Sequence, residues 1–232
     1  MPILELVASS SLGSLIGIRH ALEPDHLAAV STLVSQERSS FKAALLGVCW
    51  GLGHTFSLVV VGSTLVIARA EMPVTLSDTF EFIVALMLIA LGSRAIYVAA
   101  RQGTTGPTRV HQHGGRVHQH AGAPAHVHIG SWTLARRPLI VGAVHGLAGS
   151  GTLTAVVLAT LPTTGARLSY MLLFGLGSTF GMAALSGMLG WPMARFSNHH
   201  AVARGISLVI GCTSIALGLL WGYPLVGRLL RS

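Results

Sequence analysis

Six apolar stretches, each long enough to cross a lipid bilayer, dominate this sequence. They lie near residues 3–33, 43–69, 78–100, 138–162, 168–194 and 202–226. About 20 helical residues are enough to cross a hydrocarbon core of about 30 Å. Only 9% of the 232 residues are charged and the mean hydropathy is +0.67, whereas a soluble domain carries about a quarter charged residues. The sequence therefore predicts an all-α polytopic membrane protein with about six transmembrane helices in a lipid bilayer.

Three short motifs recur in the same order in the two halves of the chain. Residues 17–22 match 142–147, residues 51–56 match 175–180, and residues 89–92 match 215–218, at offsets of 125, 124 and 126 residues. Each half holds three predicted spans, an odd number, so the second half must enter the membrane from the opposite face. This pattern predicts two inverted three-helix repeats, as in many secondary transporters, whose substrate sites lie near the midplane.

The repeats divide the chain into residues 1–100, a connecting segment 101–137, and residues 138–232. The segment is rich in Gly, Thr, Pro, Arg and His, a composition typical of an unstructured loop. It contains three His-x-His pairs, namely His111/His113, His118/His120 and His126/His128. Imidazoles two residues apart can chelate a divalent ion, so we predict a metal-binding loop. A pH-responsive or merely solubilising loop is the alternative.

Arginine and lysine residues predict the orientation in the membrane. One side collects Arg38, Lys42, Arg101, Arg109, Arg116, Arg136, Arg137, Arg195 and Arg204, and the other has Arg69, Arg167, Arg228 and Arg231. Since cytoplasmic loops carry the excess of Lys and Arg, the histidine-rich loop should be cytoplasmic and both termini should lie outside. This topology fits a multi-pass protein of a bacterial-type inner (plasma) membrane. It also accounts for the formal charge of +8 without a nucleic-acid partner.

Four potential metal ligands lie within seven residues of the first apolar stretch: His20, Glu23, Asp25 and His26. A charge at membrane depth costs about 2.5 kcal/mol or more and is functional by default. In an unbroken helix the two histidines would lie about 240° apart. Pro24 should break the helix at this point, release the His20 carbonyl and let the side chains converge. The alternative is a solvated helix end at the membrane interface.

Two further intramembrane histidines extend this candidate site. His54 lies mid-span in the second stretch and is either a ligand or gate, or a hydrogen-bonded core residue. His145 is the repeat equivalent of His20, and the Gly-Ser-Gly-Thr run at 149–152 after it could unwind or simply pack against a neighbouring helix. Imidazoles with a carboxylate suit Ni²⁺, Co²⁺, Zn²⁺ or Cu²⁺ better than Mg²⁺ or Ca²⁺. We therefore predict transport of a divalent transition-metal ion.

Two other functions compete with transport. The first is a metal-binding membrane chaperone that assists urease or hydrogenase maturation. The second is a membrane thiol-redox carrier, although Cys49 and Cys212 stand alone in apolar runs rather than in a CxxC pair. Nucleotide-binding and nucleophile motifs do not occur in the sequence, so neither an enzyme nor an organic cofactor is expected.

The first motif, Arg19-His20-Ala-Leu-Glu-Pro-Asp-His26-Leu, resembles the RHAxDADH(I) signature of the nickel–cobalt transporter (NiCoT/NicO) family. Trp50-Gly-Leu-Gly-His54-Thr resembles the second family motif, and its form is most similar to the short urease-accessory-type nickel permeases. The resemblance implies Ni²⁺ or Co²⁺ as the transported substrate, and metallochaperones could be partners. The implied ligand positions are His20, Asp25, His26 and His54. The chain departs from the family pattern at Glu23-Pro24, where the family has Asp-Ala.

Overall fold

Seven α-helices form the fold of the described residues. The computed structural model describes residues 2–35, 37, 39–101, 109–113, 116–120, 126–129, 132–196 and 199–231. The helices are α1 (Pro2–His20), α2 (Pro24–Val34), α3 (Ser40–Ala68), α4 (Val74–Arg101), α5 (Arg136–Thr160), α6 (Thr164–Arg195) and α7 (His200–Leu229). Five of them, α3 to α7, are long and apolar enough to cross a membrane. The structure thus agrees with a polytopic helical membrane protein and provides five of the predicted spans as single helices.

The first apolar stretch is divided between α1 and α2. Pro24 occupies the first turn of α2, and Glu23 before it is extended, with φ −64° and ψ 148°. A proline disfavours the helical conformation in the residue that precedes it, which explains the break. The Glu23 N–H donates to the His20 carbonyl over 3.0 Å. The predicted break is therefore present, but the expected release of that carbonyl is wrong because the turn itself supplies a donor.

The described residues of the connecting segment form four short strands: β1 (Arg109–His113), β2 (Arg116–His120), β3 (His126–Ile129) and β4 (Trp132–Ala135). They form two separate antiparallel pairs, β1 with β2 and β3 with β4. The two Arg-Val-His-Gln-His sequences pair with each other, and β-branched valine favours such strands. The unstructured loop predicted from composition is therefore wrong for the residues of these strands.

The three His-x-His pairs differ in the residues that lie opposite them on the neighbouring strand. In the first hairpin His111 lies opposite His118, so the first two pairs belong to neighbouring strands. In the second hairpin His128 lies opposite Thr133, and His126 lies opposite Ala135. The sequence predicted metal binding for the third pair, His126 and His128, as for the other two. Its partner strand β4, however, contains no histidine. The difference arises because β4 carries an apolar sequence, whereas β1 and β2 repeat each other.

Side-chain caps mark the starts of two of the long helices. The Ser39 hydroxyl accepts the Lys42 N–H at the start of α3, and the Thr163 hydroxyl accepts the Ala166 N–H at the start of α6. Such N-caps satisfy amide groups that have no partner within the helix. Arg69 ends α3 in a left-handed conformation, with φ 52°. These ends fix how far each helix runs and hence the depth of its side chains.

Glycines of each half lie against the backbone of the other half in reciprocal fashion. Gly17 of α1 contacts the backbone of Phe174 in α6, and Gly142 of α5 contacts that of Trp50 in α3. A Cβ atom at either glycine would collide with these backbone atoms. Because the two contacts join equivalent positions of the sequence repeat, α1 packs on α6 as α5 packs on α3. Small residues permit such close approach between membrane helices.

Equivalent residues also meet directly at the interface between the halves. The hydroxyls of Thr55 in α3 and Thr179 in α6, 124 residues apart, lie 2.9 Å from each other. In the pair formed by α4 and α7, the Ser214 hydroxyl donates to the Leu88 carbonyl over 2.8 Å, across 126 residues. These contacts are those expected if a two-fold relation connects the halves.

The outer surfaces of the helices are apolar. Phe56 is 69% exposed, its repeat equivalent Phe180 is 66% exposed, and Met188 is 72% exposed. A soluble monomer rarely exposes extensive apolar surface. His54 and His145 of the long helices are instead buried, at 0% and 2% exposure. Lipid is therefore the natural surrounding of this helix bundle.

Candidate metal centre

The structure brings together all six intramembrane residues predicted for the site. His20 ends α1, and Glu23, Asp25 and His26 belong to the turn and to the first residues of α2. His54 lies halfway along α3, and His145 lies in the first half of α5. Four separate helices thus converge on one place, with α1 and α2 contributing adjacent ligands because their helix is broken at Pro24.

The four imidazole rings form a compact cluster, which we call the histidine cluster (His20, His26, His54 and His145). The centroid of the His26 ring lies 4.4 Å from that of His20 and 4.1 Å from that of His145. The His54 centroid lies 5.4 Å from those of both His20 and His26. His26, His54 and His145 are almost entirely buried, at 1%, 0% and 2% exposure. The convergence of His20 and His26, impossible on a straight helix, follows from the break.

Two carboxylates hold three of these rings. Nδ1 of His20 lies 3.0 Å from the Glu23 carboxylate, and Nδ1 of His26 lies 3.0 Å from that of Asp25. The second oxygen of Asp25 lies 2.7 Å from Nε2 of His145. An imidazole that donates one N–H to a carboxylate keeps the lone pair of its other nitrogen for a metal ion. The acids therefore fix both the orientation of the rings and the nitrogen that stays free.

Several ring nitrogens of the cluster are buried without a hydrogen-bond partner in the described structure. They are Nε2 of His20, Nε2 of His26, both nitrogens of His54 and Nδ1 of His145. Buried polar atoms normally have hydrogen-bond partners. A buried nitrogen without one is explained if an ion binds to it. For His54 this observation argues against the alternative of a hydrogen-bonded core histidine.

Two overlapping groups have the spacing of metal ligands. Ligand atoms of His20, His26 and His54 lie within 4.8 Å of one another, and so do those of Asp25, His26 and His145. Bonds of about 2.1 Å from metal to imidazole place two ligand nitrogens no more than about 4.2 Å apart. Either group would have to contract by up to about 0.6 Å around an ion, which small side-chain rotations supply.

The second half of the chain contributes less to the site than the first. The Gly-Ser-Gly-Thr run that could have unwound remains helical within α5. The Ser150 hydroxyl donates to the Leu147 carbonyl in the same helix, over 2.6 Å. No acid in this half corresponds to Glu23 or Asp25, so the anionic groups come from the first half alone.

The six histidines of the connecting segment belong to strands and not to the helices that build the cluster. They lie in pairs on β1, β2 and β3, as His111 and His113, His118 and His120, and His126 and His128. Their side chains are outside the described part of the structure. Metal binding by these six residues therefore stays a prediction from the sequence.

Trp50 is a neighbour of the site whose role the sequence did not reveal. Its ring centroid lies 5.4 Å from that of His26 and 5.9 Å from that of His145. The side chain is fully buried and its indole N–H has no partner in the described structure. The sequence signal that could have identified Trp50 as a neighbour of the site is its position one helical turn before His54 in the same motif.

Comparison with known proteins gives a consistent picture. The model of the NicO family, described as high-affinity nickel-transport protein, matches residues 7–223. The chain is 31% identical over 221 residues to the urease accessory protein UreH of Bacillus sp. (strain TB-90), covering 95% of this chain and 93% of UreH.

More distant similarity extends to two plant proteins. Chloroplast protein FOR GROWTH AND FERTILITY 2 and FOR GROWTH AND FERTILITY 1 of Arabidopsis thaliana are 26% and 27% identical to the chain. The matches cover 80% and 79% of this chain but only 48% and 50% of the plant proteins. No solved structure matches the chain.

Proposed function

The chain belongs to the NicO family of nickel transporters, and from that membership we propose that Ni²⁺ crosses the membrane through the histidine cluster. The observation that carries this proposal is the set of buried, unpartnered ring nitrogens that converge from α1, α2 and α3. Ionisable residues inside a membrane mark ion pathways. A cluster of four imidazoles in the interior of a helix bundle has no comparable structural purpose.

The proposed ligands of the ion in this conformation are the free nitrogens of His20, His26 and His54. Each can face an ion as a neutral imidazole, which suits Ni²⁺ and Co²⁺ alike. Glu23 and Asp25 act through the rings that they hydrogen-bond, as carboxylates commonly do around metal-bound histidines. Nickel is the ion of the family, and Co²⁺ is proposed as a second substrate on ligand chemistry alone.

The two halves of the chain are proposed to form an inverted repeat that rocks around the cluster. The reciprocal contacts of Gly17 with Phe174 and of Gly142 with Trp50 support this proposal. In such folds the site stays near the midplane while each face opens in turn. The first span of the repeat would then consist of α1 and α2 together, which gives the sixth crossing.

A bacterial-type inner membrane with both termini outside is the proposed setting. Basic residues favour the face that carries the start of α3, the end of α4 and the starts of α5 and α7 as the cytoplasmic one. The histidine-rich segment would lie on that face and would gather or buffer metal. Similarity to a urease accessory protein favours urease as a consumer of the nickel, with metallochaperones as partners.

Uptake of ⁶³Ni²⁺ into proteoliposomes tests the proposal. We expect wild-type protein to accumulate the ion and the variants His20→Ala and His54→Ala to lose at least about 90% of that rate, since each removes one of three ligands. His199→Ala, which changes an exposed histidine outside the cluster, is the matched control and should transport as wild type does. Normal uptake by both cluster variants would refute the assignment.

Two alternatives give different results in the same vesicles. A metal-binding chaperone would bind Ni²⁺ without accumulating it inside. A thiol-redox carrier would depend on Cys49 and Cys212, which are unpaired, one buried in α3 and the other exposed on α7. Transport by a variant with both cysteines changed to alanine would exclude that carrier.

A further inference from the structure

A cavity of about 610 Å³ leads away from the histidine cluster toward one membrane face. Its inner end is lined by His20, His26 and His145, and its outer end by Glu81 near the start of α4 and Arg228 near the end of α7. Since Arg228 is 56% exposed, the cavity reaches the surface at this end. The unpartnered Nε2 of His26 and Nδ1 of His145 belong to side chains at its inner end.

The opposite side of the cluster is closed by apolar packing. Trp50, Ala29, Val30 and Met182 are buried together there, each at 1% exposure or less. In this conformation the described residues thus leave the cluster connected with one face, the face that carries the turn between α3 and α4 and the end of α7.

The charges of the cavity favour a cation except at one position. Carboxylates of Glu23, Asp25 and Glu81 line it, and Arg228 is the single Lys or Arg side chain among the described residues of its wall. An arginine keeps its positive charge at any relevant pH. Left alone at the outer end of the cavity, the Arg228 charge would repel a divalent ion before it reached the histidines.

Asp78 neutralises that arginine. Its Oδ1 atom lies 3.0 Å from Nη1 of Arg228, and only 8% of the Asp78 side chain is exposed. Asp78 and Glu81 stand three residues apart on α4, so they share a face of the helix. At the repeat-related end of the α4–α7 pair, 126 residues further on, the corresponding residues are Arg204 and Ser207. The acids are therefore specific to the open end.

We infer that this cavity is the route by which the ion reaches the cluster, with Glu81 attracting the ion and Asp78 cancelling the barrier that Arg228 would impose. The inference rests on the proposed transport function. Asp78 and Glu81 act on the rate of entry and do not touch the ion at the cluster. Narrow, low-dielectric clefts amplify such charges, with effects of about 10- to 1000-fold on association rates.

Four proteins test the inference: wild type, Asp78→Asn, Arg228→Gln and the double variant. The first readout is the initial rate of ⁶³Ni²⁺ uptake into proteoliposomes at subsaturating Ni²⁺, at low and at high salt. The second is equilibrium Ni²⁺ binding to the detergent-solubilised protein by calorimetry, which reports whether the cluster is intact. Glu81→Gln is added, with Glu71→Gln as its matched control, because Glu71 is exposed on the same face and outside this cavity.

Asp78→Asn should slow uptake by at least about fivefold at low salt and less at high salt, where charges are screened. Arg228→Gln and the double variant should equal or exceed wild type, and binding should be unchanged in all four proteins. Glu81→Gln should also slow uptake, whereas Glu71→Gln should not.

Three results would overturn the inference. The first is a double variant that takes up Ni²⁺ as slowly as Asp78→Asn does. The second is an Arg228→Gln variant with the same slow uptake. The third is an uptake rate that equals that of a transporting wild type in both Asp78→Asn and Glu81→Gln. The first two would make the ion pair a structural tie between α4 and α7. Absence of uptake by wild-type protein would instead refute the proposed function itself, and the two failures are thereby separated.

Discussion

Asp25 connects two rings of the histidine cluster, since its two oxygens contact His26 and His145. The side chain is only 14% exposed, and the two imidazole contacts account for both of its oxygens. A carboxylate in this position orients imidazole rings from both halves of the chain at once. The family resemblance places Asp25 among the ligands, whereas the geometry gives it an orienting role in this conformation.

The variant Asp25→Asn separates these two roles. Removing an orienting carboxylate commonly lowers metal affinity about 10- to 100-fold, and we expect a loss of that size. His26→Ala, which removes a proposed ligand, should abolish measurable binding. Calorimetry with Ni²⁺ on detergent-solubilised protein gives both affinities. An Asp25→Asn variant as inactive as His26→Ala would indicate that Asp25 binds the ion directly.

At the scale of the helix, the break between α1 and α2 brings His20 and His26 together. Pro24 removes an amide donor and forces Glu23 into an extended conformation. The variant Pro24→Ala should allow the helix to continue, which would return His20 and His26 toward opposite faces. We expect at least about a tenfold loss of Ni²⁺ affinity, since a ligand would leave the site. Circular dichroism should show that helix content is kept.

Pro192→Ala is the matched control for that variant. Pro192 lies inside the long helix α6 and is far in sequence from every residue of the histidine cluster. Its affinity for Ni²⁺ should match that of wild type. Wild-type affinity in Pro24→Ala would show that tertiary packing, and not the proline, holds the two histidines together.

Contacts between helices predict a second pair of variants. A methyl group at Gly142 would meet the carbonyl oxygen and backbone of Trp50, whereas one at Gly205 would meet no atom within 4 Å among the described residues. Overpacking of this kind costs about 1–3 kcal/mol. Gly142→Ala should therefore lower the thermal midpoint in detergent, and Gly205→Ala should leave it unchanged or raise it. Equal midpoints would mean that α5 can shift away from α3 without cost.

At the scale of the whole molecule, the described strands of the connecting segment contribute no residue to the histidine cluster. Deleting residues 105–130 should change the apparent affinity for nickel or the tolerance of cells to it while ion movement continues. If residues 105–130 only gather metal, transport through the histidine cluster does not require them. ⁶³Ni²⁺ uptake over a range of concentrations measures both quantities. A deletion variant that folds but does not transport would place the segment in the pathway.

Cysteine labelling tests the orientation of the molecule in the membrane. The starting protein carries Cys212→Ser, which removes the exposed thiol. Thr152→Cys places a thiol in the cavity, and Ala29→Cys places one in the closed apolar layer. With both termini outside, a membrane-impermeant thiol reagent should label only the first variant, and only from outside the cell. Labelling from the cytoplasmic side alone would invert the proposed topology.

The sequence by itself determined the features that depend on local chemistry. Apolar stretches gave the long helices, because the bilayer requires about 20 apolar residues per crossing. Pro24 gave the break, because its ring and missing N–H act on the nearest turn. The charged residues in the first stretch pointed to a site, because isolated charges are costly in a membrane. The polar composition of the connecting segment predicted an unstructured loop, which is wrong for the strands β1 to β4. Pairing of the two Val-His-Gln-His strands depends on contacts between strands, which composition does not describe.

Tertiary structure alone decided which atoms meet. His54 and His145 could each have been ordinary core residues, and only the packing of α3 and α5 brings their rings to His20 and His26. The same packing pairs Asp25 with His145 and Asp78 with Arg228, residues that are separated by 120 and 150 positions along the chain. Periodicity and propensity act over a few residues, whereas a coordination site is a set of distances of a few ångströms. Those distances are fixed by the packing of whole helices against one another.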